Sequence, residues 1–294
     1  MRALGLILLT TLLLAGPAQA HGAAAQPGWS FDPWITAPLL AAFGLFVVGW
    51  TRLRARARGG LAGLRRRAVL FGLGWTALAF ALVSPLHQAG ARSFAAHMLE
   101  HELIMLAAAP LLALSQPLAI MIWSFPAATR RGLGRSVQAS GLAGLVRRLT
   151  QPVTATLVQA AVLWLWHAPS LFERALARDG WHIVQHLAFL VSALLFWTGV
   201  LTRRPFRADV SALCLFATSV VSGALGAMMA FSQSPWYPSY ARLGLTPFGL
   251  SPAEDQQLAG LLMWIPGGAV HAAAALVAVA AILKPVRPEA QHGV

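Results

Sequence analysis

The chain has 294 residues, of which 57% are hydrophobic and only 11% are charged, and its mean hydropathy is +0.65. This composition excludes an ordinary soluble domain, which needs far more polar surface, and it indicates a polytopic protein of the lipid bilayer. The net charge of +13 would suggest nucleic-acid binding in a soluble protein. Here the arginines lie between apolar segments, so they indicate membrane topology and no nucleic-acid partner.

The N-terminus has the pattern of a secretory signal peptide. Arg2 forms a basic start, residues 4–15 are apolar, and Ala18-Gln19-Ala20 matches the small-residue cleavage pattern. Because the apolar stretch is short for a membrane span, we predict a signal peptide over residues 1–20 and a periplasmic segment over residues 21–33. The mature chain then begins at His21, whose amine and imidazole together can chelate Cu(II).

Seven apolar segments follow, each long enough to cross about 30 Å of hydrocarbon as a helix. They cover residues 34–51, 68–86, 94–123, 152–168, 182–201, 209–231 and 257–283. We therefore predict an all-α polytopic bundle of seven transmembrane helices over residues 34–283, followed by a tail over residues 284–294. Pro110 and Pro117 in the third segment predict a kink or an interfacial end, and Pro266 in the seventh predicts another distortion.

The basic residues predict the orientation of these spans. Most of them lie in loops that follow odd-numbered spans or in the tail. This larger set comprises Arg52, Arg54, Arg56, Arg58, Arg65, Arg66, Arg67, Arg130, Arg131, Arg135, Arg147, Arg148, Arg203, Arg204, Arg207, Lys284 and Arg287. The smaller set in the opposite loops comprises Arg92, Arg174, Arg178 and Arg242. The positive-inside rule places the larger set in the cytoplasm, so we expect a periplasmic mature N-terminus and a cytoplasmic C-terminus.

Two His-x-x-x-His pairs predict a metal or haem site between helices. His97 and His101 form one pair, and His182 and His186 form the other. Residues four apart share one helix face, and ionisable groups inside a membrane span are usually functional. The predicted topology places both pairs at the outer ends of their spans. Two further histidines end spans two and four on that same side: His87 and His167.

The ligands of such a site must be histidine, methionine or carboxylate. The single cysteine, Cys214, lies in an apolar segment and excludes a CxxC site. Imidazole binds copper, zinc and iron, and Cu(I) also accepts thioether sulfur. The additional candidates near the outer side are Met98, Met105, Met228, Met229, Met263, Asp255 and Glu100. Glu100 is expected to orient an imidazole or to coordinate directly, whereas Asp255 is expected to form hydrogen bonds at the rim.

Several motifs resemble those of the CtaG-type cytochrome c oxidase assembly proteins of bacterial inner membranes. In chain order they are SPLH, HMLEHELIMLAAAPLLALSQPL, WLWHAPSLFERAL, WHIVQHLAFLVSALLFW and EDQQLAGLLMWIPGG, within residues 30–283. The resemblance implies a seven-helix membrane protein that helps to mature haem–copper oxidases by handling copper. The family's histidine motifs correspond to His97, His101, His167, His182 and His186, and less closely to His87. The family often has glutamine where this chain has Glu100.

The leading functional hypothesis is a non-enzymatic assembly factor. It would bind copper through the outer histidines and pass it to oxidase subunits or to other oxidase assembly factors. The alternatives are a haem-binding redox protein, because two histidines on separate helices can ligate one haem, and a copper permease. HMLEH also matches the H-x-x-E-H pattern of zinc hydrolases, but the second histidine pair would then be unexplained. Copper is therefore preferred to haem or zinc as the cofactor.

Overall fold

The computed structural model describes residues 28–202 and 208–283. The predicted signal peptide, His21, the tail and the basic residues at 203, 204, 207, 284 and 287 lie outside the described residues. Within the described ranges the chain is helical and contains no strand, as the composition predicted. The α-helices are α1 (Pro33–Arg56), α2 (Leu61–Val83), α3 (Pro85–Ala89), α4 (Phe94–Glu102), α5 (Ala109–Ser115), α6 (Pro117–Met121), α7 (Ala127–Ala139), α8 (Leu142–Leu149), α9 (Pro152–His167), α10 (Pro169–Ala177), α11 (Asp179–Leu201), α12 (Ala208–Ala230), α13 (Pro238–Ala241) and α14 (Pro252–Leu283).

The number of membrane spans agrees with the prediction. Among the described residues, six helices or continuous helix runs are long and apolar enough to cross a membrane, and α9 with α10 makes a seventh if that pair counts as one span. The pair is bent by 71° between its two helices. Helix α9 alone has 16 residues and is therefore only about 24 Å long. The predicted fourth span is thus the shortest one, and the chain turns sharply directly after His167.

The basic residues near α1 and α2 lie on helices, although the sequence placed them in a loop. Arg52, Arg54 and Arg56 belong to the end of α1, and Arg65 lies near the start of α2. Helix α1 has 24 residues, so it is about 36 Å long and exceeds the ~30 Å of hydrocarbon. Its arginine-bearing end therefore extends beyond the apolar layer. The arginines between the third and fourth spans likewise lie on the short helices α7 and α8.

The third span changes its helical geometry at Pro110. A π-helix over Leu103–Ala108 separates α4 from α5. In the π pattern residue 110 would donate to the carbonyl of Met105, but proline has no N–H. The indole of Trp197 on α11 donates to that carbonyl instead, at 2.8 Å. The span then ends at Gln116, whose φ of 49° breaks the helix before Pro117, which confirms the predicted disruption.

Helices α12 and α14 pack at backbone distance. A Cβ atom at Gly260 of α14 would lie 2.4 Å from the carbonyl oxygen of Gly226 on α12. Small residues at such a crossing allow the close approach that stabilises membrane helix pairs. Glycine at these two positions is therefore a packing requirement, and it holds α14 against the bundle.

The start of α14 anchors the start of α4. Ser93 caps α4 by accepting from the backbone N–H of Ala96 at 3.2 Å, and its hydroxyl donates to Asp255 at 2.7 Å. The same carboxylate accepts from the backbone N–H groups of Phe94 and Ala95. An anion at a helix N-terminus satisfies N–H groups that lack a partner within the helix. Asp255 therefore fixes the helix that carries the first histidine pair.

Candidate metal centre

Helix ends bring the predicted histidines together at one end of the bundle. His97 and His101 lie on α4, whereas His182 and His186 lie in the first turns of α11. Ser84 caps the short helix α3 and Pro85 starts it. This helix carries His87 toward both pairs. The two motifs therefore contribute to one cluster, and they do not form separate sites.

The centre of this histidine cluster contains residues from both motifs. The candidate ligand nitrogens of His97, His182 and His186 lie within 4.8 Å of one another. The rings of His97 and His182 face each other at 5.2 Å between centroids, with an angle of 25° between their planes. A metal ion with bonds of about 2 Å to nitrogen holds its imidazole nitrogens roughly 3–4 Å apart. Ion binding would therefore draw these three side chains slightly closer.

A second set of candidate ligands shares His186 with the first. Nδ1 of His87 lies 2.8 Å from Oε1 of Glu100, and Nε2 of His186 lies 3.6 Å from the same oxygen. The Glu100 side chain is completely buried, whereas the His87 side chain is 17% exposed. Glu100 thus lies within hydrogen-bond distance of His87 and beside His186 of the central set, where a carboxylate can orient an imidazole.

His101 lies next to the centre but faces it edge-on. Its ring centroid is 4.4 Å from that of His97 and 5.1 Å from that of His186, and both contacts are nearly perpendicular. His101 falls outside both groups of mutually close candidate ligands. It also packs against Phe189 at 4.6 Å. His87 therefore lies in a better position to complete the ligand set than the motif residue His101.

Several nitrogens of the cluster have no hydrogen-bond partner among the described residues. They are buried and comprise Nε2 of His97, Nε2 of His182, Nε2 of His186 and both ring nitrogens of His101. Buried polar atoms are nearly always hydrogen bonded, since an unpaired group costs free energy. Each neutral imidazole offers one lone pair, and several imidazoles with one carboxylate beside them have the chemistry of a cation site.

Tyr240, which the sequence did not single out, orients His97. The Tyr240 hydroxyl donates to the carbonyl of Gly90 at 2.6 Å and lies 3.2 Å from Nδ1 of His97. Because its hydrogen is directed to Gly90, its oxygen accepts from Nδ1–H of His97. The His97 tautomer then leaves Nε2 free to bind a metal. Burial first, and then the Asp255 and Glu100 carboxylates, raise the pKa of Tyr240 well above its usual value, so it stays protonated.

His167 pairs with Met98 beside the cluster. Nδ1 of His167 lies 2.7 Å from the carbonyl of Leu163 and therefore donates to it, while Nε2 lies 3.4 Å from the Met98 sulfur. The neutral ring then directs a nitrogen lone pair at a sulfur lone pair. This imidazole–thioether pair suits a soft cation. The carbonyl of His167 accepts from the hydroxyl of Tyr237 at 2.8 Å.

The other predicted ligands lie elsewhere in the bundle. Met228 is about half exposed on α12, whereas Met229 is completely buried and packs against Gly260. Met263 lines a separate cavity on α14. Asp255 uses its carboxylate at the start of α4, as the expected hydrogen-bonding role requires. Helical periodicity predicts which side chains share a helix face, but it does not predict which helix packs against that face.

A family model for cytochrome c oxidase caa3 assembly factors matches residues 44–284. The matched range includes every helix that carries a histidine of the cluster. The chain belongs to this family. No curated protein and no solved structure matches it. As a member of the caa3 assembly factor family, the protein is a helical membrane protein of cytochrome c oxidase assembly, which confirms the resemblance drawn from the histidine motifs.

Proposed function

We propose that this caa3 assembly factor binds a copper ion in its histidine cluster and delivers it to an oxidase subunit. The observation that carries the proposal is the meeting of His97, His182 and His186, whose ligand nitrogens lie within 4.8 Å of one another. These residues come from two helices with independent motifs. Their convergence around buried lone pairs, together with membership of an oxidase assembly family, supports copper as the bound species.

The surrounding donors favour Cu(I). Imidazole nitrogen and thioether sulfur are both good ligands for Cu(I), whereas harder divalent ions select carboxylate and water. The His167–Met98 pair adds a sulfur donor directly beside the cluster. The cluster also lacks thiols, since Cys214 is the only cysteine in the chain. An imidazole-based site holds Cu(I) less tightly than a thiolate site, which suits a protein that must release the ion.

The exposure of the histidines suggests a route for transfer. His87 and His182 are partly exposed, whereas His97 and His186 are buried. Rings of His87 and His182 stack at 5.4 Å with an angle of 10° between their planes. His186 belongs to both sets of candidate ligands. Copper can therefore pass between the buried set and the exposed edge by exchanging one ligand at a time.

The same packing argues against haem. Ring centroids within the cluster lie as close as 4.3 Å for His182 and His186. A haem with two axial histidines needs the full porphyrin plane between its ligand rings. The remaining imidazoles occupy the space on either side of any such pair, so a single ion fits this cluster better than a macrocycle.

Elemental analysis of purified protein tests the proposal. The variant His97→Ala/His101→Ala/His182→Ala/His186→Ala is expected to lose the copper of the histidine cluster, and His292→Ala in the tail serves as the control histidine. Membranes that contain only the quadruple variant should show reduced cytochrome c oxidase activity. Full copper occupancy in the quadruple variant would refute the site. Copper loss with unchanged oxidase activity would refute delivery.

We further propose that the histidine end of the bundle faces the periplasm of a bacterial inner membrane. The support is the distribution of arginines, most of which lie toward the opposite ends of the spans. Oxidase subunits or other oxidase assembly factors would then receive copper at the outer surface. Labelling of an introduced cysteine beside His182 by a membrane-impermeant reagent in intact spheroplasts tests this orientation, and a reaction seen only after lysis would contradict it.

A further inference from the structure

A separate cavity of about 30 Å³ lies among α4, the π-helix, α9, α12 and α14. Glu102 of α4 reaches it, and this residue lies one position after His101, about 100° further around the helix. The cavity therefore lies on a different side of α4 from the histidine cluster. Its volume accommodates one or two water-sized guests, since a single water needs roughly 10–15 Å³ on this measure.

Three residues that line this cavity, each on a different helix, carry an unpaired polar atom. Oε2 of Glu102, Oε1 of Gln159 and Nε2 of His271 are buried and lack hydrogen-bond partners among the described residues. Leaving such atoms unpaired in an apolar layer costs free energy for each one. The convergence of three of them on one small space indicates that the space holds a guest.

The polar wall presents lone pairs. Nδ1 of His271 lies 2.7 Å from the carbonyl of Gly267 and donates to it, which leaves a lone pair on Nε2. The hydroxyls of Thr218 and Ser222 also donate to backbone carbonyls of their own helix, at 2.9 and 2.8 Å. Among the described residues, neither lysine nor arginine lines the cavity. Water or a cation satisfies acceptors of this kind.

The sulfur and nitrogen donors of the lining favour a soft cation as the guest. Met105 and Met263 line the cavity together with His271 and Glu102. Thioether sulfur and imidazole nitrogen select Cu(I), whereas alkali and alkaline-earth ions select oxygen. Trp197 stacks on the His271 ring at 5.5 Å with an angle of 6° between the planes, so the imidazole is held in place.

We propose that this cavity is a second Cu(I) site, formed by Met105, Met263, His271 and Glu102. It shares no residue with the histidine cluster, and it binds its ion whether or not the cluster is intact. The chain would therefore hold copper at two positions on different sides of α4.

Anaerobic Cu(I) titration in competition with bicinchoninate tests the proposal in the quadruple histidine variant described above. That variant is expected to retain one equivalent of Cu(I), with sulfur scattering in its copper K-edge spectrum. Adding Met263→Leu should weaken the remaining binding at least ~10-fold and reduce the sulfur signal. Met229→Leu, a buried methionine of α12 outside the cavity, should leave both unchanged.

The outcomes separate the two sites. A quadruple variant that binds no Cu(I) overturns the second site and leaves the histidine cluster supported. Retained binding that neither Met263→Leu nor Glu102→Gln weakens also overturns it. Equal copper binding by the wild type and the quadruple variant refutes the cluster instead. Both cavity substitutions preserve side-chain size, and size-exclusion chromatography confirms that each variant is folded.

Discussion

Tyr240→Phe tests whether the cluster depends on a hydrogen bond from outside the histidine motifs. The substitution removes one hydroxyl and keeps the ring. That hydroxyl donates to the Gly90 carbonyl at 2.6 Å and accepts from His97 at 3.2 Å. Without it, His97 loses the contact that fixes its tautomer and ring orientation. Loss of such an outer contact typically weakens metal binding about 10- to 100-fold, or roughly 1.4–2.7 kcal/mol.

The same change should also reduce stability. The Gly90 carbonyl and Nδ1 of His97 would both remain buried without their partner, at a cost of about 1–3 kcal/mol. Tyr237→Phe is a matched control, because its hydroxyl also donates to a buried carbonyl, that of His167, at 2.8 Å. We expect both variants to lower the thermal unfolding midpoint in detergent, but only Tyr240→Phe to weaken copper binding strongly.

Copper affinity is measured by competition with a chromogenic Cu(I) chelator. Because the pKa of Tyr240 is raised well above its usual value, the hydroxyl stays protonated between about pH 6 and about pH 9. The ratio of wild-type to variant affinity should therefore stay constant over that range. Equal copper affinities for the wild type and Tyr240→Phe would refute the proposed orientation of His97.

Substitutions at Gly260, Glu100 and Asp255 test the packing and polar contacts of the bundle. Gly260→Ala places a Cβ 2.4 Å from a backbone oxygen of α12 and should lower the free energy of unfolding by roughly 1–3 kcal/mol. Gly72→Ala is the control, because its added Cβ meets open space, and it should not lower the thermal unfolding midpoint. Glu100→Gln keeps an oxygen that accepts from His87, so its copper affinity should change less than ~10-fold. Glu100→Leu lacks that oxygen and should bind copper more weakly than Glu100→Gln. Equal copper affinities of the two variants would contradict a role for Glu100 in orienting His87. Asp255→Ala removes the carboxylate that anchors the α4 N-terminus. It should lower the free energy of unfolding by about 1–3 kcal/mol and therefore the thermal unfolding midpoint. An unchanged midpoint would refute the anchoring role.

The histidine positions illustrate how far local patterns reach. The spacing of His97 and His101 predicted a shared helix face, and the apolar runs predicted that both pairs begin their spans. The structure brings both pairs to one end of the bundle. The sequence could not show, however, which histidines lie closest to the centre of the cluster. His87 contacts Glu100 and stacks on His182, whereas the His101 ring is turned edge-on to that of His97.

Residues remote in sequence escaped prediction for a similar reason. Tyr240 lies 143 positions from His97, in a connection with no regular pattern around it. Met263 was expected near the histidines, but it lines the cavity on another side of α4. Glu102 lies two positions after Glu100, which rotates its side chain by about 200° around the helix. Helical periodicity predicts that direction, but it does not predict which helix packs there.

Although α14 continues through Pro266, the sequence taken alone determined the class of protein, the helical spans, the helix break before Pro117 and the two histidine motifs. These features follow from hydrophobicity, backbone dihedral limits and residue spacing, which act over one or two helical turns. Only the tertiary structure decided that the two histidine pairs form one cluster and that Tyr240 and Glu100 orient it. It also decided that a separate cavity lies on a different side of α4. Those contacts depend on helix crossings such as that of Gly226 with Gly260, where side chains far apart in the chain meet.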